Sequence, residues 1–286
     1  MNILFNKKFL QHNAESSAEG AYRIGEFIDQ FEDTSKDGAE YIQLVHSERY
    51  IEQVKEACNQ KTILAEVSVT PESYEAACLA VGLTILASEN NDFAIVRPPG
   101  HHARREIAAG FCLFNNIAIA AQKLVNEGKK VFILDIDGHH GDGTQDIFYR
   151  SNKVLYCSIH QEYAYPWTGS IDETGEGEGK SYTINFPITA GSDDSEFLSA
   201  IDIAIEIAKK FQPDVVGVSA GFDGYEKDSI LDLNYSLNGY YECGYRLQQA
   251  FQNIFAVLEG GYHQDIRKCT ENFINGVNNK GNQIRK

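Results

Sequence analysis

Six short apolar runs, at 93–96, 131–134, 154–159, 182–186, 215–219 and 254–258, are long enough for β-strands and too short for helices. Most are apolar at nearly every position, which marks strands buried on both faces. Between them, apolar residues recur at three- and four-residue spacing over 71–87, 115–127 and 194–210, and this predicts helices. The last of these follows Gly191-Ser192-Asp193-Asp194, where Asp or Ser is a suitable helix cap. Strands alternating with helices predict an α/β chain with an open, mostly parallel sheet covered by helices on both faces. No Pro/Ser-rich linker or repeat divides the 286 residues, so one domain over 1–286 is expected. The acidic, Gly-rich stretch 168–180 predicts a surface loop.

Charge narrows the choice of partners. The chain carries 25 basic and 41 acidic residues, a net −16, which disfavours nucleic acid and anionic membrane surfaces and suits a cationic substrate. No apolar run approaches the roughly 18 residues of a membrane span, and Lys7 and Lys8 follow a short apolar patch rather than precede a long one. A cytoplasmic protein is expected. The six cysteines (Cys58, Cys78, Cys112, Cys157, Cys243 and Cys269) show no CxxC spacing and sit mostly in apolar segments, as reduced buried thiols do.

Chemistry collects at strand ends. The run at 131–134 leads directly into Asp135-Ile136-Asp137-Gly138-His139-His140-Gly141-Asp142-Gly143. In open parallel sheets the ligand crevice lies at the carboxyl ends of the strands. With a two-residue strand repeat, Asp135, Asp137 and His139 are expected to share one face. A lone Asp or His there is ordinarily a turn residue or a cap. Together, Asp137 and His139 offer oxygen and nitrogen to zinc or another borderline divalent ion, which needs a further protein ligand and one open position for water. Asp223, just past the run at 215–219, is the expected third ligand. After 93–96 come Arg97-Pro98-Pro99-Gly100-His101-His102, a stiff turn holding two imidazoles at the same rim, one of them able to act as general base. After 254–258, Gly260 and Gly261 let the chain bend so that the Tyr262 hydroxyl can donate to an oxyanion. These residues describe a mononuclear metal hydrolase that activates water against a carbonyl.

The motifs RPPGHHA (97–103), GFCLFNN (110–116), LDIDGHHGDGTQDIFY (134–149), SIHQ (158–161), SAGFDGYEKD (219–228) and LEGGYH (258–263) occur in this order. The chain thereby resembles, over roughly residues 40–265, the zinc-dependent histone deacetylase family, which includes acetylpolyamine amidohydrolases and acetoin-utilisation proteins. The resemblance implies an arginase/deacetylase-like fold and one Zn²⁺ per chain on Asp137, His139 and Asp223, with Fe²⁺ as a possible replacement. It implies His102 as general base, His101 as its electrostatic neighbour, Asp135 and Asp142 as the acids orienting them, and Tyr262 as the oxyanion donor. Gly110, Phe111, Tyr165 and Ile230 become substrate contacts, with Phe111 and Tyr165 as the two aromatic walls of a narrow tunnel. A structural K⁺ is implied at Asp135, Asp137, His139, Ser158 and Ile159.

The chain departs from the family pattern in several places. Trp167 stands where the family commonly has Gly, and 11–23 lacks the usual His-Pro-Glu. Ser229-Ile230-Leu231 stands where polyamine-selective members can carry Glu, which argues against that specificity. Glu66 falls where an acidic residue often contacts the substrate backbone. The expected reaction is removal of an acetyl or related acyl group from lysine in a peptide or protein, or from a small acylated amine. An acetylpolyamine amidohydrolase, a binuclear arginase-like hydrolase and an inactive acyl-amine binding protein are the alternatives.

Overall fold

The computed structural model describes residues 1–12, 18–28 and 30–279. Seven strands form one parallel sheet: β1 (Ile3–Leu4), β4 (Phe93–Ala94), β5 (Val131–Asp135), β6 (Val154–Gln161), β7 (Thr183–Ile188), β8 (Val215–Ala220) and β9 (Ile254–Leu258). Their order across the sheet is β1-β4-β9-β8-β5-β6-β7. A separate antiparallel hairpin pairs β2 (Ile63–Leu64) with β3 (Val67–Ser68). The helices are α1 (Ala39–Ile42), α2 (Glu48–Gln60), α3 (Pro71–Asn90), α4 (Asn116–Asn126), α5 (Asp142–Phe148), α6 (Asp194–Phe211), α7 (Leu237–Ala250) and α8 (Ile266–Val277). The parallel α/β architecture expected from the sequence is therefore present. All five residues of β5, all six of β8 and all five of β9 are buried, which is why these strands read as continuous apolar runs.

Local chemistry accounts for the element ends. Asp193 caps α6 by accepting from Ser195 N at 2.8 Å, while Glu196 accepts from Asp193 N at 3.2 Å, a reciprocal cap. Pro71 opens α3, and Thr70 N donates to Ser73 Oγ at 2.9 Å. The expected strand at 93–96 ends at Ala94, ahead of the Arg97-Pro98 turn, and the one at 182–186 runs on to Ile188 because it pairs with β6 along its full length. All six cysteines are free and buried. No described helix is long and apolar enough to cross a membrane.

The topology creates the crevice. β5 is flanked by β6 on one side and β8 on the other, so the chain reverses its direction of travel across the sheet there. Register places Asp135 beside both Ser158 and Ser219, and Ser219 beside Val257. The turns leaving β4, β5, β8 and β9 thus emerge at one level and face one another.

Candidate active site

Asp137 and His139 come from the turn after β5 and Asp223 from the turn after β8, and their ligand atoms lie within 4.8 Å of one another. His139 Nδ1 is 2.8 Å from Asp223 Oδ2 and 3.3 Å from Asp137 Oδ1. Backbone amides fix both acids: Gly138 N donates to Asp223 Oδ1 (2.6 Å) and Gly260 N to Asp137 Oδ2 (2.7 Å). Only glycine fits in the opposing turns, since a Cβ on Gly221 would meet Asp137 Oδ2 at 1.9 Å and one on Gly260 would meet Asp223 Oδ2 at 2.5 Å. Two buried carboxylates and an imidazole converging in this way suit a divalent ion of borderline softness. Among the described residues this is the one such group, a ligand set for a single ion.

Burial opposes a charge on His139, but Asp223 and Asp137 outweigh it and push its pKa up to about 10. Burial and the Asp137 charge raise Asp223, whereas His101 and His139 overcome burial at Asp137 and hold it well below the carboxylate range. The residues named for K⁺ are adjacent: Ser158 is the register partner of Asp135, and Ile159 follows it, buried, along β6.

The turn after β4 carries the histidine pair, with ring centroids 4.0 Å apart. His101 Nδ1 lies 3.1 Å from Asp135 Oδ2 and His102 Nδ1 2.8 Å from Asp142 Oδ1, so each imidazole has the acid expected for it. The shared face expected for Asp135, Asp137 and His139 is not kept. β5 stops at Asp135, whose carboxylate turns to His101 and to the Tyr156 hydroxyl (3.1 Å). Burial opposes protonation of both imidazoles, yet Asp137 and Asp135 outweigh it at His101 and hold its pKa well above the usual histidine range. At His102, burial together with the His101 charge prevails over Asp142, and the pKa falls to about 4. The carboxylates thus push His101 up while burial and its neighbour push His102 down. Asp142 is shared with Arg104, Nε at 3.0 Å and Nη2 at 2.8 Å, which weakens its pull on a proton at His102. The basic pair Arg104-Arg105 next to the histidines is the only sequence signal for this contact.

Tyr262 is placed by residues that no motif announces. Arg23, fully buried, donates to the carbonyls of Gly261 (2.6 Å) and Glu259 (2.5 Å) and lies 4.9 Å from the Tyr262 ring centroid. Arg23 and Arg97 both hold Glu19, at 2.9 Å and 2.5 Å. His12 Nε2 stands 3.6 Å from the same carboxylate. The segment 11–23 lacks a contiguous His-Pro-Glu, yet the fold brings a histidine and a glutamate seven positions apart into contact; residues 13–17 lie outside the described residues. The Glu259 side chain joins three strand ends, accepting from Gly100 N (2.7 Å), His101 N (3.1 Å) and Ser219 Oγ (3.2 Å).

Gly110, Phe111, Tyr165 and Ile230, the four expected substrate contacts, all line one cavity of about 270 Å³, which also reaches His102, His139 and Tyr262. Gly110 has φ 52°, and a Cβ there would meet His102 Cδ2 at 2.3 Å, so glycine is needed on both counts. Tyr165 lies edge-on to His102 at 5.2 Å, and Phe111 edge-on to Tyr262 at 6.2 Å. Trp167, despite its bulk, leaves Tyr165 on the cavity wall and is itself 76% exposed. Glu66 also faces this cavity. A wider cleft of about 510 Å³ against α8 shares no lining residue with this cavity and contains none of Asp137, His139 and Asp223.

Known proteins resemble this arrangement in sequence and in shape. The family model for the histone deacetylase domain matches residues 12–277. A probable deacetylase of Archaeoglobus fulgidus is 35% identical over 91% of this chain and 80% of its own length. An acetylpolyamine amidohydrolase of Burkholderia pseudomallei is 40% identical over 64% of this chain and 55% of its own. The crystal structure of the HDA15 HD domain superposes with a TM-score of 0.91 at 30% identity, covering 99% of this chain and 92% of that one.

Proposed function

Because the chain belongs to the histone deacetylase family, we propose that it is a zinc-dependent amidohydrolase that removes an acetyl or related acyl group from the ε-amino group of lysine or a similar amine, with residues 1–286 acting as one catalytic domain. The observation that carries this reading is the convergence of Asp137, His139 and Asp223 with the His102–Asp142 pair and Tyr262 around one cavity. Asp137, His139 and Asp223 would hold the ion, zinc in our reading, with iron(II) compatible with the same donors. When bound, it supplies Lewis acidity, polarising an amide carbonyl and lowering the pKa of water.

The remaining steps belong to the chain. His102 Nδ1–H donates a hydrogen bond to Asp142 and keeps its proton, which leaves Nε2 free to take a proton from water as the hydroxyl adds to the carbonyl carbon. His101, held by Asp135 at 3.1 Å with its ring centroid 4.0 Å from that of His102, is the electrostatic neighbour of the base. The Tyr262 phenol, kept protonated by burial, donates to the oxyanion. His102 then passes its proton to the amine nitrogen as the C–N bond breaks, releasing carboxylate and amine. Phe111 and Tyr165 enclose an unbranched stem and exclude water. We assign a structural K⁺ to Asp135, Asp137, His139, Ser158 and Ile159, and a reducing compartment, the cytoplasm, on the six unpaired buried thiols.

A second reading, acetylpolyamine amidohydrolase, is favoured by the acidic charge and by the similarity to the Burkholderia protein of that name. Hydrolysis of an acetyl-lysine peptide, free acetyl-lysine and acetylated polyamines, with and without chelator and zinc add-back, tests both. Chelator-sensitive turnover is expected, and the substrate ranking separates them. No turnover of any amide by protein carrying one metal per chain would sink the hydrolase reading in favour of an acyl-amine binding protein.

A further inference from the structure

The cavity mouth carries two features that the chemistry above does not use. Glu66 sits in the two-residue turn between β2 and β3, where Ala65 (φ 52°) and Glu66 (φ 64°) are both left-handed without a glycine. Phe111 N donates to the Ala65 carbonyl at 3.1 Å and so docks this turn on the cavity wall. The Glu66 carboxylate is exposed, faces the cavity, and has no described lysine or arginine within ion-pair distance. Its charge is felt at Tyr165, whose phenol is pushed up to about 12 by burial first and by Glu66 second.

The second feature is Trp167, the chain's single tryptophan. It is also left-handed (φ 62°), held by its own N–H to the Ala164 carbonyl at 2.8 Å, with its ring 5.4 Å from that of Tyr165. A mostly exposed indole packed edge-to-face on Tyr165, a residue of the cavity wall, adds aromatic surface beside that wall. Neither Lys nor Arg lines the cavity.

We propose that Glu66, Tyr165 and Trp167 form a cation subsite at the cavity mouth, selecting acylated amines that carry a second positive charge outside the tunnel. A carboxylate set against aromatic rings is the usual receptor for an ammonium or guanidinium group, and the net charge of −16 adds long-range attraction. This inference rests on the deacylase reading and goes beyond a backbone contact at Glu66, since accepting a peptide N–H would not discriminate by charge. The cation can belong to a free amine of an acylated polyamine or to a basic side chain next to an acylated lysine. In monoacetylated putrescine, four carbons from the acyl nitrogen bring the ammonium to the level of a lysine Cα.

The test uses the full-length, zinc-loaded protein at low salt and two matched pairs: acetylated butylamine against monoacetylated putrescine, and an acetyl-lysine peptide with neutral flanks against one with a flanking arginine. The charged member of at least one pair should have the higher kcat/KM by about five- to tenfold. That margin should shrink with added salt and fall to near one in both Trp167→Ala and Glu66→Gln. Preference in the first pair alone assigns the cation to a polyamine, and preference in the second alone assigns it to a peptide. Trp167 fluorescence gives a readout without catalysis, because putrescine or argininamide alone should perturb it. Equal rates within both pairs and unchanged emission would overturn the subsite while leaving the hydrolase intact. An emission response without hydrolysis of any amide would overturn the hydrolase and leave the subsite standing.

Discussion

His46 makes the fold sensitive to acid at a point outside the metal group. Its ring is buried between Tyr50 and Phe114, with Nδ1 3.1 Å from the Arg105 carbonyl and Nε2 accepting from Asn115 N at 2.9 Å. One nitrogen must therefore carry a proton and the other must not, so the imidazole is neutral by geometry as well as by burial. Burial pulls its pKa from 6.5 to about 4, against the Arg105 carbonyl bond, which raises it. A histidine with a depressed folded pKa binds fewer protons folded than unfolded between those two values. Its contribution is thus most favourable above the unfolded pKa and is lost as pH falls toward the folded one. Between pH 7 and pH 5 this amounts to about 2 kcal/mol, or roughly 3 °C in Tm for a chain of this size. His46→Gln supplies a donor and an acceptor without titrating. We expect a variant less stable than wild type at pH 7, with the gap narrowing by about 2 kcal/mol at pH 5. Denaturant unfolding at the two pH values, at equal metal concentration, measures this; a gap independent of pH would refute the argument.

The other predictions concern the site. Tyr262→Phe should lower kcat on the order of 10²-fold or more with unchanged thermal unfolding, because the phenol is an oxyanion donor; a loss of only a few fold would remove that role. His102→Ala should cost comparable turnover while metal stoichiometry, read by elemental analysis, stays at one per chain. Asp223→Asn should lose bound metal and activity together, and retention of both would exclude Asp223 as a ligand. Glu259→Leu leaves two backbone N–H groups and the Ser219 hydroxyl without their buried acceptor, a destabilisation on the order of 3 kcal/mol, whereas Glu259→Gln keeps an acceptor and should stay close to wild type.

What the sequence discloses here follows from how far apart the interacting residues lie. Strands β5, β8 and β9 are legible because burial on both faces makes every position apolar, and the residues that follow them are legible because parallel topology sends those turns to one rim. Asp137, His139 and Asp223 were identifiable for that reason, whereas the acids behind the histidine pair were matched to their imidazoles only through the family resemblance. Helices α7 and α8 are harder to read. Gly239 and Gly244 in α7 and Gly276 in α8 look like breakers, yet the last two let the helices touch: a Cβ on Gly244 would meet the Phe273 carbonyl at 2.3 Å, and one on Gly276 the Tyr241 carbonyl at 2.1 Å.

The supporting polar residues are the least legible part. Arg23 reaches across more than 230 positions to the turn that carries Tyr262, and nothing near it in sequence differs from an ordinary surface arginine. Yet two buried guanidiniums on one glutamate make a network whose parts cannot be removed singly, since taking away Glu19 would strand both charges in the interior. Tyr262 therefore depends on a polar core assembled from the amino-terminal segment, the turn after β4 and the turn after β9. Substitution of Glu19 should impair turnover even though it touches no substrate. The motifs at the strand ends specify which chemistry is possible, and these distant charges determine whether the tyrosine is held where that chemistry needs it.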